Sequence, residues 1–471
     1  MSNKLHHSSS RIRTILGASA LTSLLVTFPA MAGEVNLAGL QSAQTHQRFI
    51  VTYRDGSSQS TSAKALSSSL QSAARALPAK NGRALSLNKL RRLALGPEVV
   101  KADRPLDRVE SETLMRQIAT DPNVLSVEID QIMRPTSTPN DTYLSRQWAF
   151  GTTSAGMNVR SAWDKATGKG VVVAVIDTGI TNHPDLNANV LPGYDFISDA
   201  SSARDGDGRD DDPSDEGDWT TVANECYLGS GVANSSWHGT HVAGTIAAVT
   251  NNSTGVAGTA YNAKIVPVRV LGHCGGFTSD IADAIVWASG GTVGGIPTNP
   301  NPAEVINMSL GGEGSCSSTY QNAINGAVSR GTTVVVAAGN DGYNVKNSVP
   351  ANCPNVIAVA ATTSRRTKAS YSNYGSGIDI SAPGSSILST LNDGTTTPGS
   401  ASYASYDGTS MATPHVVGVV ALMQSVAPKA LTPAQVEATL KKTAASFSCL
   451  QGCGAGLLDA DAAVTAAAQA N

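Results

Sequence analysis

The chain has 471 residues, a formal net charge of −3, 15% charged residues and 45 glycines in a largely aliphatic background. That length exceeds what one compact core usually needs, so at least two folded units are expected. The composition is that of a tightly packed globular protein, and the charge balance offers no broad basic surface with which to hold nucleic acid.

In chain order, the first element is an address. Lys4, Arg11 and Arg13 precede an apolar run from Ile15 to Phe28, and the segment AMA (Ala30 to Ala32) supplies small residues for cleavage. This pattern predicts a secretory signal peptide over residues 1–32, cut after Ala32. The run is too short for a comfortable membrane span and no later segment reaches that length. A secreted, monomeric product with no stable membrane association is therefore expected.

Residues 33–138 read as a small α+β module. RFIVTYRDG (Arg48 to Gly56) has the pattern of a strand running into a turn, and VLSVEIDQIMRP (Val124 to Pro135) alternates like a second strand. Two stretches rich in alanine, leucine and serine between them are read as helices. RPTSTPNDT (Arg134 to Thr142) is proline-broken and polar, the composition of an exposed, cleavable linker.

From residue 139 to 471 the pattern changes to short apolar strands separated by helical stretches. GVVVAVID (Gly170 to Asp177), AKIVPVRVL (Ala263 to Leu271), AEVINMSL (Ala303 to Leu310) and GTTVVVAAG (Gly331 to Gly339) are the strands. HVAGTIAAV (His241 to Val249), TSDIADAIVWAS (Thr278 to Ser289) and TYQNAINGAVSRG (Thr319 to Gly331) are the helices. Strands that are apolar throughout and alternate with helices predict an α/β fold: a mainly parallel sheet with helices on both faces. Function in such sheets collects at the carboxyl ends of the strands, where Asp177, Ser309 and Asn340 stand.

Three segments carry reactive side chains: VIDTGI with Asp177, SSWHGTHVAG with His238 and His241, and DGTSMATPHVVG with Ser410. Each has a plainer reading. Ser410 before a helix is a natural cap, and Pro414 suits a first helical turn. DTG also marks aspartic peptidases, which need a second such segment. HGTH has the spacing of a metal pair but lacks the glutamate of the HExxH pattern. Asn340 alone reads as a turn residue. Together, in the order Asp, His, Ser and each at a strand end or helix entry, they fit nucleophilic hydroxyl chemistry. A serine hydroxyl attacks only as an imidazole takes its proton, and a carboxylate must hold the imidazole's tautomer.

All six cysteines follow the signal segment. An even count in an exported chain predicts disulfides, although many connectivities are open. The expected pairs are Cys226–Cys274, Cys316–Cys353 and Cys449–Cys453, and a zinc site is the competing reading.

AVIDTGI, HGTHVAGTIA, MSLGG, VVAAGN and GTSMATPHVVG together span nearly all of the second unit, and from about residue 140 onward the chain resembles the subtilisin-like serine peptidases. The resemblance implies that Asp177 orients, His238 is the general base, Ser410 is the nucleophile and His241 is structural. It implies an oxyanion hole made by the Asn340 amide and the backbone N–H of Ser410. Ser309, Leu310 and Gly311 on one side, with Gly275 and Gly276 on the other, would sandwich a peptide as an added strand. Gly311, Ala338 and Ser348 would line the pocket for the residue before the scissile bond, free of large charged groups and so suited to apolar side chains. A Cys316–Cys353 bridge would brace that pocket. The first unit resembles the inhibitory propeptides of secreted members, making it both a folding aid and an intramolecular inhibitor, with maturation between about Thr136 and Asn140. Protein and peptide substrates follow. Two other outcomes stay open: a ligase or acyltransferase with an amine in place of water, and an inactive calcium-binding adhesive protein.

The loop RDGDGRDDDPSDEGDW (Arg204 to Trp219) holds eight acidic residues between Asp205 and Asp218 against one internal arginine. Calcium on Asp205, Asp207 and Asp210 is one expectation, and a solvated acidic loop is the other.

Overall fold

The computed structural model describes residues 33–37, 40, 45–80, 82–131 and 138–470. The expected signal peptide and part of the expected cleavage region lie outside the described residues. The chain divides into two compact units, one ending at Met133 and the other beginning at Arg134.

In the first unit, β1 (Glu34–Asn36), β2 (His46–Tyr53), β3 (Leu87–Arg92), β4 (Glu98–Leu106) and β5 (Val124–Ile129) form one sheet, in the order β1-β5-β2-β4-β3. The helices are α1 (Ser58–Thr61), α2 (Ala63–Ala74) and α3 (Arg108–Ile118). The alternating side chains of β2 and β5, such as Phe49, Val51 and Val127, pack with Leu66 and Leu70 of α2 and with Leu114 and Met115 of α3. Ser62 caps α2, and a reciprocal capping box between Asp107 and Glu110 opens α3. The first alanine-rich stretch is helical as expected, but the second contains β3. Five of that strand's six residues are exposed, so the apolar periodicity that read as a helix is overridden by pairing with β4.

The second unit contains α4 (Val159–Trp163), β6 (Val172–Asp177), β7 (Tyr194–Asp195), α5 (Ala200–Ala203), α6 (His238–Ala247), β8 (Lys264–Arg269) and α7 (Thr278–Ala288). There follow β9 (Val305–Met308), β10 (Gly312–Glu313), α8 (Ser318–Ser329), β11 (Thr333–Ala337), β12 (Ser348–Val349), β13 (Ile357–Thr362) and β14 (Ile380–Pro383). The last elements are β15 (Ile387–Asn392), β16 (Ala401–Tyr406), α9 (Thr409–Val426), α10 (Pro433–Thr443) and α11 (Ala460–Ala467). Seven strands make one parallel sheet in the order β14-β13-β11-β9-β6-β8-β7.

Its strands are buried on both faces because successive side chains enter opposite cores. Val173 and Val175 of β6 join the cluster containing α6, α9 and α11, whereas Ala174 and Ile176 join the one containing α7 and α8. β13 divides in the same way, with Val359 on the first side and Ala358 and Ala360 on the second. The sheet order reverses between β6 and β9, the crevice where ligands bind in open α/β sheets. β6 ends on Asp177, β9 runs into Ser309, and β11 leads to Asn340. Three disulfides are present: Cys226–Cys274, Cys316–Cys353 and Cys449–Cys453.

Candidate active site

Asp177 is fully buried at the carboxyl end of β6, and His238 is the first residue of α6. Helix α6 starts three residues before the expected His241, because Trp237 takes a left-handed conformation (φ 50°) and starts the helical turn at once. Gly239 lets the helix approach the chain after Asp177: a Cβ there would lie 2.2 Å from the carbonyl oxygen of Gly179. With backbones this close, His238 Nδ1 donates to Asp177 Oδ1 at 2.7 Å, leaving Nε2 as the ring's free base. The same carboxylate oxygen accepts the Thr178 N–H at 2.8 Å. Burial pulls the His238 pKa down, but the charge and hydrogen bond of Asp177 outweigh it and hold the value above the ordinary imidazole range. His241 is different. It is buried, bonded to the Ala404 carbonyl at 3.1 Å and stacked on Tyr406, and burial presses its pKa to about 3. It remains neutral and structural.

Ser410 lies in the first turn of α9, where amide hydrogens have no intrahelical acceptor. Its hydroxyl donates to the Ser309 carbonyl at 3.1 Å, while the Ser309 hydroxyl donates to the Ser410 carbonyl at 2.8 Å. This reciprocal pair ties the nucleophile candidate to the end of β9. The hydroxyl is thus turned to Ser309 and not to His238. The two sides of the site adjoin: His238 lines a cavity of about 500 Å³ and Ser410 one of about 780 Å³, and both cavities include Leu271, Cys274, Gly275 and Ser309. Catalytic hydrogen bonds of this kind commonly tighten only when substrate is bound.

Asn340 sits just beyond the left-handed Gly339 (φ 101°). Its Oδ1 accepts both the N–H of Thr409 (2.8 Å) and the hydroxyl of Thr409 (2.9 Å), which fixes the amide so that Nδ2 is the end left to donate. Thr409 also accepts the Gly339 N–H at 3.1 Å. This clamp was hidden in the sequence, where a threonine beside Ser410 had no distinguishing neighbour.

The larger cavity is lined by Ser309, Leu310, Gly311, Gly275, Gly276 and Ser348, so these expected substrate-binding residues come together. Ala338 does not line it. It is completely buried among apolar residues behind the wall, while its strand neighbours Ala337 and Gly339 reach the cavity. Nor is the pocket free of charge, because Glu313 and Asp341 also line it, beside Tyr343. Neither flanks Gly311, Ala338 or Ser348 in a way that the motifs signal. Cys316–Cys353 joins the chain after β10 to the chain after β12. Cys226–Cys274 ties the loop before α6 to the Gly275 segment.

Asp205, Asp207 and Asp210 do not form a calcium site as placed. Asp205 is taken by Arg269 at 2.9 Å, and Asp210 accepts the Asp212 N–H at 2.8 Å. Among the described residues, the one group of three ligand atoms within 4.8 Å is Cys226, His273 and Cys274, whose cysteines are joined in a disulfide. The repulsion expected in the loop is relieved in part from outside it by that Arg269–Asp205 pair, and Arg269 of β8 is itself held by Asp195 at 2.6 Å. Two other loop carboxylates turn inward. Asp215 is buried and accepts the Thr178 hydroxyl at 2.6 Å, and Asp218 binds Ser236.

Residues 168–456 match the model of the Subtilase family. An extracellular protease of Xanthomonas campestris pv. campestris is 75% identical over 456 residues, covering 96% of this chain and 78% of that protein. The extracellular basic protease of Dichelobacter nodosus is 43% identical over 473 residues, covering 94% and 76% respectively. Among solved structures, a protease of Pseudoalteromonas arctica superposes with a TM-score of 0.69 at 59% identity, covering 70% of this chain and 100% of that one. The chain belongs to the subtilase family of serine proteases, with the subtilisin-like fold of a large, mainly parallel sheet flanked by helices.

Proposed function

We propose that this chain is a secreted endopeptidase that cleaves proteins through an acyl-enzyme on Ser410. The observation that carries the reading is the 2.7 Å bond between His238 Nδ1 and buried Asp177. It leaves Nε2 free as the base, on a cavity that shares Leu271, Cys274, Gly275 and Ser309 with the one lined by Ser410 and Asn340. In the reaction, the Ser410 oxygen attacks the scissile carbonyl as Nε2 takes its proton. Asp177 stabilises the imidazolium that forms and holds its tautomer. The carbonyl oxygen becomes an oxyanion, met by Asn340 Nδ2 and the Ser410 N–H. These donors act on charge present only after attack, so they favour the transition state over the bound substrate. His238 then returns the proton to the leaving amine, and water repeats the sequence to release the acid.

Residues 33–138 are proposed to be a propeptide that inhibits the enzyme until cleavage near Thr136 to Asn140, with residues 139–471 as the peptidase. Export is supported by the extracellular relatives and the amino-terminal pattern. Among the described residues, no helix is long and apolar enough to cross a membrane. Expression of Ser410→Ala tests the whole reading: uncut precursor is expected to accumulate, with no hydrolysis of casein. A variant that matures alone and digests casein contradicts it.

A further inference from the structure

The acidic loop is more than a charged surface, because two of its carboxylates reach the chain on either side of the Asp177–His238 pair. The loop is strung along the segment after Asp177 by backbone bonds, Ile180 N–H to the Pro213 carbonyl and Asp215 N–H to the Ile180 carbonyl. That places the Asp215 carboxylate against Thr178, whose hydroxyl donates to it at 2.6 Å and accepts the Gly239 N–H at 2.9 Å. Thr178 follows Asp177 and Gly239 follows His238, so one carboxylate–hydroxyl–amide chain fixes the backbones of both partners. Gly217 N–H, at 3.0 Å, satisfies the other Asp215 oxygen.

Asp218 works from the opposite side. It accepts the Ser236 N–H at 2.6 Å and the Ser236 hydroxyl at 2.7 Å, two residues before His238. Between them stands Trp237, buried and left-handed at φ 50°, a conformation that a large side chain adopts only when its surroundings impose it. The indole N–H donates to the Gly394 carbonyl at 2.7 Å, and the Ser236 carbonyl accepts the Tyr406 hydroxyl at 2.9 Å. The turn that aims His238 is thus pinned by groups from the loop, from the β15–β16 connection and from β16.

We propose that Asp215 and Asp218 are positioning residues of the reaction: the loop clamps the turn bearing His238 and adds negative charge beside the imidazole. The proposal rests on the assignment of His238 as general base. Asp177 on β6 is bonded to the ring, His241 lies one turn along the same helix with Tyr406 of β16 stacked on it, and Tyr227 lines the same cavity as His238; His415 of α9 acts on His241, and Arg269 of β8 on Asp215. Burial keeps His241 and His415 neutral, at about 3 and about 4, and Arg269 is paired with Asp195 and Asp205. Asp215 and Asp218 are therefore the carboxylates that join Asp177 in raising the basicity of His238. Burial pushes Asp215 itself up to about 7, so its full charge is present on the alkaline side.

The test is the pH profile of kcat and KM on a chromogenic peptide amide, using mature enzyme with active sites counted by titration. The base must be neutral, so removing nearby negative charge lowers its pKa and extends activity toward acid. Asp218→Asn is expected to move the acid limb of kcat/KM down by roughly half a pH unit, and Asp215→Asn in the same direction by less, because Asp215 is itself partly protonated in that range. Asp215→Asn also lowers kcat about tenfold, with KM within about twofold, through the loosened turn. Thr178→Val loosens the same turn, so kcat falls, and it removes the hydrogen bond that favours the Asp215 carboxylate, so the acid limb moves in the same direction as in Asp215→Asn; Thr178→Ser restores both. Acid limbs that coincide with that of the parent enzyme in folded Asp218→Asn and Asp215→Asn overturn the proposal. If Asp215→Asn fails to fold, the half-buried Asp218→Asn decides alone. Titratable active sites in the parent enzyme keep a failure here separate from a failure of the serine mechanism.

Discussion

Helices α6 and α9 both begin at the cleft, and different forces hold their first turns. Neither has a side-chain cap: Trp237 precedes α6 and Gly408 precedes α9, and no side chain of theirs bonds the first amides. At α6 the holding groups are polar and charged, with Asp177 on the ring, Asp215 behind Thr178 and Asp218 on Ser236. At α9 they are uncharged: Asn340 Oδ1 accepts the N–H and hydroxyl of Thr409, and the Ser309 hydroxyl donates to the Ser410 carbonyl. Every residue from Met411 to Met423 is buried, and the Ser410 hydroxyl meets only a backbone carbonyl. The division fits the two jobs proposed for His238 and Ser410. A base must have its proton affinity set, which takes charges, whereas a nucleophile must be placed, which takes packing and a fixed backbone.

Substitutions at the two helix starts should therefore fail in different ways. The largest effect is expected from Asp177→Asn, which keeps the shape but lets the imidazole take the wrong tautomer. Turnover should fall roughly 10⁴-fold, as in the triads where this change is characterised, while the melting temperature stays close to that of the parent. A large drop in melting temperature instead would mean that the α6 side is also held mainly by structure.

Asn340→Ala comes next. It removes the Nδ2 donor proposed to act after attack, so kcat is expected to drop about 10²–10³-fold with KM unchanged, the loss seen in subtilisin itself for such a donor. It also removes the Oδ1 that accepts the N–H and hydroxyl of buried Thr409, so some thermal stability should be lost with it. A rise in KM at constant kcat would assign the amide to substrate binding. Gly418→Ala has the smallest expected effect on chemistry. Its Cβ would lie 2.4 Å from the Thr259 Cβ, so overpacking should cost about 1–3 kcal/mol of stability. Thermal unfolding reads that loss, while kcat per titrated site should stay within about twofold. A change in kcat larger than the change in stability would break the division between the helices.

The apolar runs of the parallel sheet were legible because strands buried on both faces leave no polar position to confuse the pattern. The places of Asp177, His238 and Ser410, at a strand end and two helix starts, were legible because few other reasons put these residue types there in that order. What was not legible depended on distant partners. Arg269 sits inside the strand-like run AKIVPVRVL, and nothing local indicates that it reaches Asp205 of the acidic loop, 64 residues away. The same loop read as crowded carboxylates held by calcium or by solvent, and nothing local indicated that Asp215 and Asp218 bond Thr178 and Ser236. Ala338 was assigned to the pocket wall, but strand alternation turns it into the core. β3 is an exposed edge whose leucines and arginines read equally well as helix, so only its pairing with β4 decides.

The most direct measurement is mass spectrometry of the mature enzyme after reaction with a fluorophosphonate. One adduct is predicted, on the oxygen of Ser410, and none in Asp177→Asn or His238→Ala over the same interval. Labelling of another residue, or undiminished labelling of Ser410 when His238 is alanine, would contradict the triad.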